Sequence, residues 1–319
     1  MTAGKPSPCG FLNVLKPPGM SSAQVVGMAH RMLDGAKVGH AGTLDPEAAG
    51  VLPLMTGKAA RLFDYMQEKE KGYVAEIAFG TATDTQDAQG MPVSVGADYP
   101  GEDAIRAMLP RFTGTLMQRP PMYSAIKQNG RCLYELAREG QEAEVAEREV
   151  TVHQLCFRGM TPNHGALLYL RCSKGFYVRT LCHDLGVALG CPAHMRFLLR
   201  TQSGVFTLQT AHTLEELQAL AQAGMLAQTL LPPETVLHHL PWAVVPAGLE
   251  KAVRNGGKLP WARFTELHGT AAELGKPACL WLHGTVCAIG ERVGEEMKLR
   301  TWLADERLEG GNLPDANHS

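Results

Sequence analysis

The stretch GHAGTLDPEAAGVLP, residues 39–53, sets one carboxylate, Asp45, among glycines and small apolar residues, with a proline directly after it. Gly39, Gly42 and Gly50 permit tight backbone geometry and close approach of a ligand, while Pro46 fixes its own φ and biases Asp45 towards extended backbone. A carboxylate held in this way is preorganised to act as a nucleophile, a general base or an electrostatic stabiliser. It has no matched second acid, so it does not resemble a glycosidase pair. The same residues would also serve an Asx turn or the cap of a helix starting at PEAAGVL. Taken alone, the segment leaves chemistry and turn formation both open.

Other constellations fall away on geometry. Cys182-His183-Asp184 has the residue types of a thiol triad, but neighbours on a helix point in different directions and cannot line up. His238-His239 has no HxxxH, HExxH or paired CxxC beside it, so no metal centre is expected. GTATDTQDAQG, residues 80–90, lacks the GxxxxGK[ST] pattern of a phosphate loop. Neither a metal nor an organic cofactor is expected.

A net charge of −2 argues at first against a nucleic-acid partner. The distribution reverses that impression. Between Arg111 and Arg138 five basic residues face the single acid Glu135, and between Arg171 and Thr201 five face only Asp184. The acids gather in EGQEAEVAERE, 139–149, which carries five Glu and one Arg, and in the tail from Asp305. Such segregation can form a basic face that attracts a polyanion, or simply two solvated surfaces.

The elements that must position these residues read as α+β. GFLNVLKPPGMSS is a short strand, a Pro-Gly turn and a helix capped by Ser21 or Ser22, with Val25, Met28, Ala29 and Met32 at helical spacing and Gly35 as the stop. YVAEIAFG alternates with period two, placing Tyr73, Ala75, Ile77 and Phe79 inward. EVTVHQLCF and ALLYLRCS are strands joined through RGMTPNHG, and FYVRTLCHDLGVAL is an apolar helix ended by Gly190. Four prolines within 232–246 mark a linker or an ordered crossover, and ACLWLHGTVCAIGERVGEEMKLRTWL has the strand spacing of a small β-barrel. At 319 residues and 45% hydrophobic, the chain can build one large domain and a smaller one. The eight cysteines, none in a CxxC pair, are expected to be mostly buried free thiols. With no apolar run of signal-peptide or membrane-spanning length, the protein is expected to be cytoplasmic.

Six blocks in order, LKPPGMSS, GHAGTLDPEAAGVLPLMTGKAARL, KGYVAEIAFGTATDTQDAQG, RPPMYSAIKQNGRCLYELAREG, GFYVRTLCHDLG and AHMRFLLRTQSGVF, resemble the TruB family of bacterial tRNA pseudouridine synthases. The resemblance covers roughly residues 10–233. It implies the pseudouridine synthase fold, a central mixed sheet flanked by helices, as a catalytic domain over 10–233, with a small PUA-like β-barrel at 246–303 and a flexible tail at 304–319. It implies isomerisation of a T-loop uridine, at position 55 in standard tRNA numbering, and it assigns roles. Asp45 is the catalytic carboxylate, attacking C1′ or removing the C2′ proton, and Arg179 pairs with it. Tyr73 stacks on the flipped base, with a core-packed strand tyrosine as its alternative. His40 contacts the loop as the uridine leaves the stack, or is only a turn histidine. Lys16 and Pro17 line the site in a supporting role. Arg111, Arg119, Lys127, Arg131 and Arg138 are candidate phosphate contacts, and Pro120, Pro121, Tyr123 and Ser124 shape the RNA surface. The acidic run should lie away from the RNA. A stand-alone monomer without an obligate protein partner is expected, because RNA-guided relatives carry long basic extensions and this chain ends in LPDANHS. An RNA-folding chaperone with dispensable catalysis is the alternative from another class.

Overall fold

The period-two run at 73–79 becomes the central strand of the main sheet. The computed structural model describes residues 9–66, 70–124, 126–128, 130–141, 143 and 145–303; the expected tail at 304–319 lies outside them. The main elements are β1 (Gly10–Lys16), α1 (Ser22–Met32), β2 (Val38–His40), β3 (Ala49–Thr56), β4 (Lys71–Phe79), β5 (Thr81–Thr83), β6 (Pro92–Val95), α2 (Glu102–Met108), β7 (Gly114–Gln118), β8 (Lys127–Gln128), β9 (Arg131–Cys132) and α3 (Leu133–Arg138). They continue with β10 (Arg148–Thr161), β11 (Gly165–Cys172), α4 (Val178–Ala188), β12 (Ala193–Ser203), β13 (Phe206–Thr207) and α5 (Leu214–Gln222). The sheet order is β1-β3-β12-β4-β11-β10-β7, with β2 beside β3 and β13 beside β12. The β3–β12 pairing is parallel and its neighbours are antiparallel, so the sheet is mixed.

Local signals set the element ends. Ser21 is the N-cap of α1 in a reciprocal capping box with Gln24, which frees the Ser22 hydroxyl for another use. Gly35, at φ +82°, takes the left-handed position after the helix, and its N–H donates to the His30 carbonyl at 2.9 Å. α4 starts at Val178 rather than Phe176, because Gln118 holds both backbone groups of extended Tyr177, at 2.8 Å and 3.0 Å. β10 and β11 run further into RGMTPNHG than expected, leaving a tight turn in which Asn163 and His164 take positive φ. The main core packs α1, α4 and α5 against the sheet through Val25, Ala29, Leu181, Leu185 and Leu217.

Past the proline-rich segment, whose Glu234–Leu237 forms a short helix (α6), come β14 (Trp242–Val244), a further helix α7 (Glu250–Arg254), β15 (Leu267–His268), β16 (Pro277–Leu282), β17 (Thr285–Val293) and β18 (Glu296–Trp302). Their order, β15-β14-β16-β17-β18, is open, where the sequence suggested a closed barrel. β15 is too short to close it, and residues 259–261 bond along the β18 edge instead, Trp261 N–H to the Glu295 carbonyl and Met297 N–H to that of Leu259. The segment at 232–246 is an ordered crossover: Val236 and Leu237 share one apolar cluster with Phe11, Val51, Met55 and Leu62 on one side and Cys279, Val286, Ile289 and Leu303 on the other. The seven cysteines whose side chains are described are free thiols, five of them buried. No helix among them is long and apolar enough to cross a membrane.

Candidate active site

Three buried side chains from three elements fix the backbone around Asp45. The Ser22 hydroxyl, at the start of α1, donates to the Leu44 carbonyl and accepts from the Leu44 N–H, both at 2.9 Å. Lys16, at the end of β1 and fully buried, donates from Nζ to the carbonyls of Pro46 at 2.8 Å, Pro17 at 2.7 Å and Met20. Arg200, on β12 and also fully buried, donates Nε to the Val51 carbonyl at 2.7 Å, Nη1 to that of Thr43 at 3.1 Å and Nη2 to that of Gly42 at 3.2 Å. Gly50 lets β3 cross this arginine's own backbone: its φ is +116°, and a Cβ there would stand 2.2 Å from the Arg200 carbonyl oxygen.

Onto this frame the carboxylate projects, 38% exposed, and is met by Arg179, 6% exposed, from the first turn of α4. Arg179 Nε lies 3.1 Å from Asp45 Oδ2, and Nη2 lies 3.5 Å from Oδ1, a two-pronged contact. The rest of the guanidinium is also engaged, with the carbonyls of Tyr123 at 2.9 Å and Thr85 at 3.4 Å, and with Asp87 Oδ2 at 3.5 Å. Asp87, which the sequence reading gave no role, is itself oriented by Thr85 Oγ1 at 2.7 Å and the Gln89 N–H at 3.0 Å. The signal that could have found it is the acid-rich TDTQD turn lying inside one of the six recognised blocks.

Tyr73 stands directly across from Arg200 in the β4–β12 register. It is buried, and burial pushes its phenol up to about 12, so the ring is neutral at physiological pH. Burial lowers both nearby lysines, Lys16 to about 8 and Lys71 to about 8, with the Arg200 charge adding to the effect. Burial and the charges of Arg200 and Lys71 likewise lower the pKa of His40, whose Nδ1 is buried with no partner among the described residues. Part-exposed Asp45 thus faces a largely cationic frame, in which it shares the Arg179 guanidinium with Asp87.

The structure therefore brings Asp45, Tyr73, Arg179, His40, Lys16 and Pro17 together. Pro17 enters through its carbonyl, in the turn that Lys16 closes. Lys127 lies on the β8–β9 ribbon opposite Cys132, and its side chain, like that of Arg138, lies outside the described residues. Arg131, on the same ribbon, is bound by Glu139, and Arg119 by Glu147 at 3.4 Å. The acidic run, expected to lie away from the RNA, pairs with the basic run that directly precedes it in the chain. Folding brings the two stretches side by side, and opposite charges pair. Cys182 is buried with its thiol pushed up to about 12, which removes the triad reading. Among the described residues no group of His, Cys, Asp and Glu is placed to hold a metal ion. A concavity of about 630 Å³ lies elsewhere, between α2 and β10, lined by Arg106, Leu109 and Phe157.

The mixed sheet, with Asp45 held two-pronged by Arg179, defines the class, a pseudouridine synthase fold. A solved structure described as a Cbf5-Nop10-Gar1 complex superposes with a TM-score of 0.68 at 26% identity, covering 93% of this chain and 85% of that one. The TruB family pseudouridylate synthase N-terminal domain matches residues 30–178, and the tRNA pseudouridylate synthase B C-terminal domain matches residues 179–238. The chain belongs to the TruB family of pseudouridylate synthases. It is 48% identical over 255 residues to the tRNA pseudouridine synthase B of Pelotomaculum thermopropionicum, covering 78% of this chain and 81% of that protein. With the protein of the same name from Bacillus subtilis it shares 42% over 257 residues, covering 78% and 83%.

Proposed function

We propose that the chain converts uridine to pseudouridine in the T loop of tRNA, at position 55 in standard tRNA numbering, with Asp45 as the catalytic carboxylate. One observation carries this: Asp45 stands 38% exposed while buried Arg179 grips both of its oxygens. The relatives' shared name, tRNA pseudouridine synthase B, supports the substrate. The reaction breaks the N1–C1′ bond, turns the base and joins C5 to C1′; C5 loses a proton and N1 gains one, so one carboxylate suffices. Asp45 either attacks C1′ or takes the C2′ proton to give a glycal-like intermediate. In both routes uracil leaves as an anion, and Arg179, Arg200, Lys16 and Lys71 supply fixed positive potential where that charge develops. Tyr73 offers a ring face on which a flipped base can turn, and His40, uncharged at neutral pH, meets the loop. Arg111, Arg119, Lys127, Arg131 and Arg138 hold phosphates. The region 246–303, which forms the open sheet together with β14, is read as a PUA-like RNA-binding domain beside a catalytic domain at 10–233, in an enzyme that acts as a monomer.

Asp45→Asn tests the reading, because it keeps the side chain's size and removes its charge. Release of tritium from C5-labelled uridine in tRNA should fall below detection, while tRNA affinity changes by no more than about tenfold, or ~1.4 kcal/mol. Near-normal release from a folded variant removes Asp45 as the catalytic group.

A further inference from the structure

The two oppositely charged runs between Arg111 and Glu149 hold each other. Arg131 pairs with Glu139 and Arg119 with Glu147, and all four side chains are between 46% and 69% exposed. The acidic run is also anchored beside the catalytic arginine. Arg148 donates to the Gly175 carbonyl and lies 4.9 Å over the ring of Tyr177, two residues before Arg179. From the basic run, the Arg119 carbonyl accepts from the Thr180 hydroxyl at 3.4 Å, and the Tyr123 carbonyl from Arg179 at 2.9 Å. The arginines placed to meet a polyanion are therefore joined through backbone to the guanidinium that grips Asp45, and acids of the same fold already occupy them.

We propose that Glu139 and Glu147 are internal stand-ins for two RNA phosphates, which the RNA displaces to engage Arg131 and Arg119. The inference rests on RNA being the substrate. A phosphodiester offers each guanidinium the same charge in the same forked geometry as a carboxylate. Exposed carboxylate pairs are weak enough to exchange, yet their loss is charged against every RNA that binds. The exchange lowers affinity for RNA and speeds its departure, since the glutamates retake the arginines as the product leaves.

The test is the full-length double variant Glu139→Gln/Glu147→Gln, with Glu102→Gln as control, because Glu102 pairs with Arg106 on α2, outside both runs. The probes are an unmodified T-arm hairpin and an unstructured RNA strand of the same length. Affinity and dissociation are followed by fluorescence anisotropy, and chemistry by single-turnover tritium release. Both RNAs should bind between about twofold and thirtyfold more tightly to the double variant, the range two exposed ion pairs span. Hairpin dissociation should slow, the single-turnover rate should stay unchanged, and each single variant should show part of the tightening. Tightening no greater than that of Glu102→Gln, or weaker binding, in variants whose thermal unfolding matches the wild type overturns the proposal. A wild-type protein that binds RNA but forms no pseudouridine removes the proposed function, and the affinities still decide the inference.

Discussion

Arg200→Met isolates what the buried arginine under the catalytic loop contributes. Methionine fills much of the aliphatic volume but offers no donor, so three carbonyls lose their partner: Val51 at 2.7 Å, Thr43 at 3.1 Å and Gly42 at 3.2 Å. A buried acceptor left unsatisfied costs about 1–3 kcal/mol. The Val51 contact is wholly buried and pays the full cost, whereas the other two are part-buried and water relieves them partly. Removing the desolvated charge gives some stability back. The net expectation is a loss of about 3 kcal/mol, which at ~2–4 °C per kcal/mol is a fall of roughly 6–12 °C in the unfolding midpoint. The functional effect should be larger than the thermal one. Gly42 and Thr43 lead directly to Asp45, and displacing a reacting group by about 1 Å costs on the order of a hundredfold in rate. Calorimetry together with single-turnover tritium release measures both. Arg200→Lys, able to reach one of the three carbonyls, should fall between wild type and Met in each assay. A Met variant with an unchanged midpoint and full turnover refutes the reasoning, because the loop would then be fixed without this residue.

Lys16 and Lys71 lose their protons near pH 8, while in the unfolded chain they hold them to 10.5. Between those values the unfolded state binds more protons, so the contribution of these two groups to stability rises with pH while the positive potential around Asp45 falls. Turnover should therefore drop through pH 8–9 with no parallel drop in the unfolding midpoint; flat turnover across that range contradicts the assignment. Gly50→Ala should leave little folded protein, because its Cβ would stand 2.2 Å from a backbone oxygen at φ +116°, and soluble, cooperative unfolding near the wild-type midpoint would refute this. Truncation after Pro233 should give a chain that keeps the Asp45–Arg179 pair and some turnover but melts lower and binds an apolar dye. It removes Val236, Cys279, Val286 and Ile289 from the cluster that covers Phe11, Val51, Met55 and Leu62. An unchanged midpoint would show that this cluster does not couple the two parts.

The sequence by itself determined the elements whose signals are local. The Ser21 cap and the apolar spacing of α1, the alternation that turns Tyr73 inward and the turn-forming residues between β10 and β11 all act over a few residues, and each appears in the fold. The lone carboxylate and its arginine were legible only because whole blocks resembled a family, since Asp45 and Arg179 stand 134 residues apart and no local rule joins them. What tertiary structure decided is of that long-range kind. β12 carries His194, Arg196, Arg200, Thr201 and Gln202 among its apolar residues, which hides its place beside β4 at the middle of the sheet. Arg200 reads as a surface charge until the carbonyls of a loop some 150 residues earlier surround it. Asp87 gains its role only when α4 brings Arg179 to it. The acidic and basic runs follow one another along the chain, but which carboxylate meets which arginine, Glu139 with Arg131 and Glu147 with Arg119, is set by how the segments fold back on each other. Sequence periodicity reports which face of an element is apolar; which partners a buried charge finds there depends on contacts that only the closed fold creates.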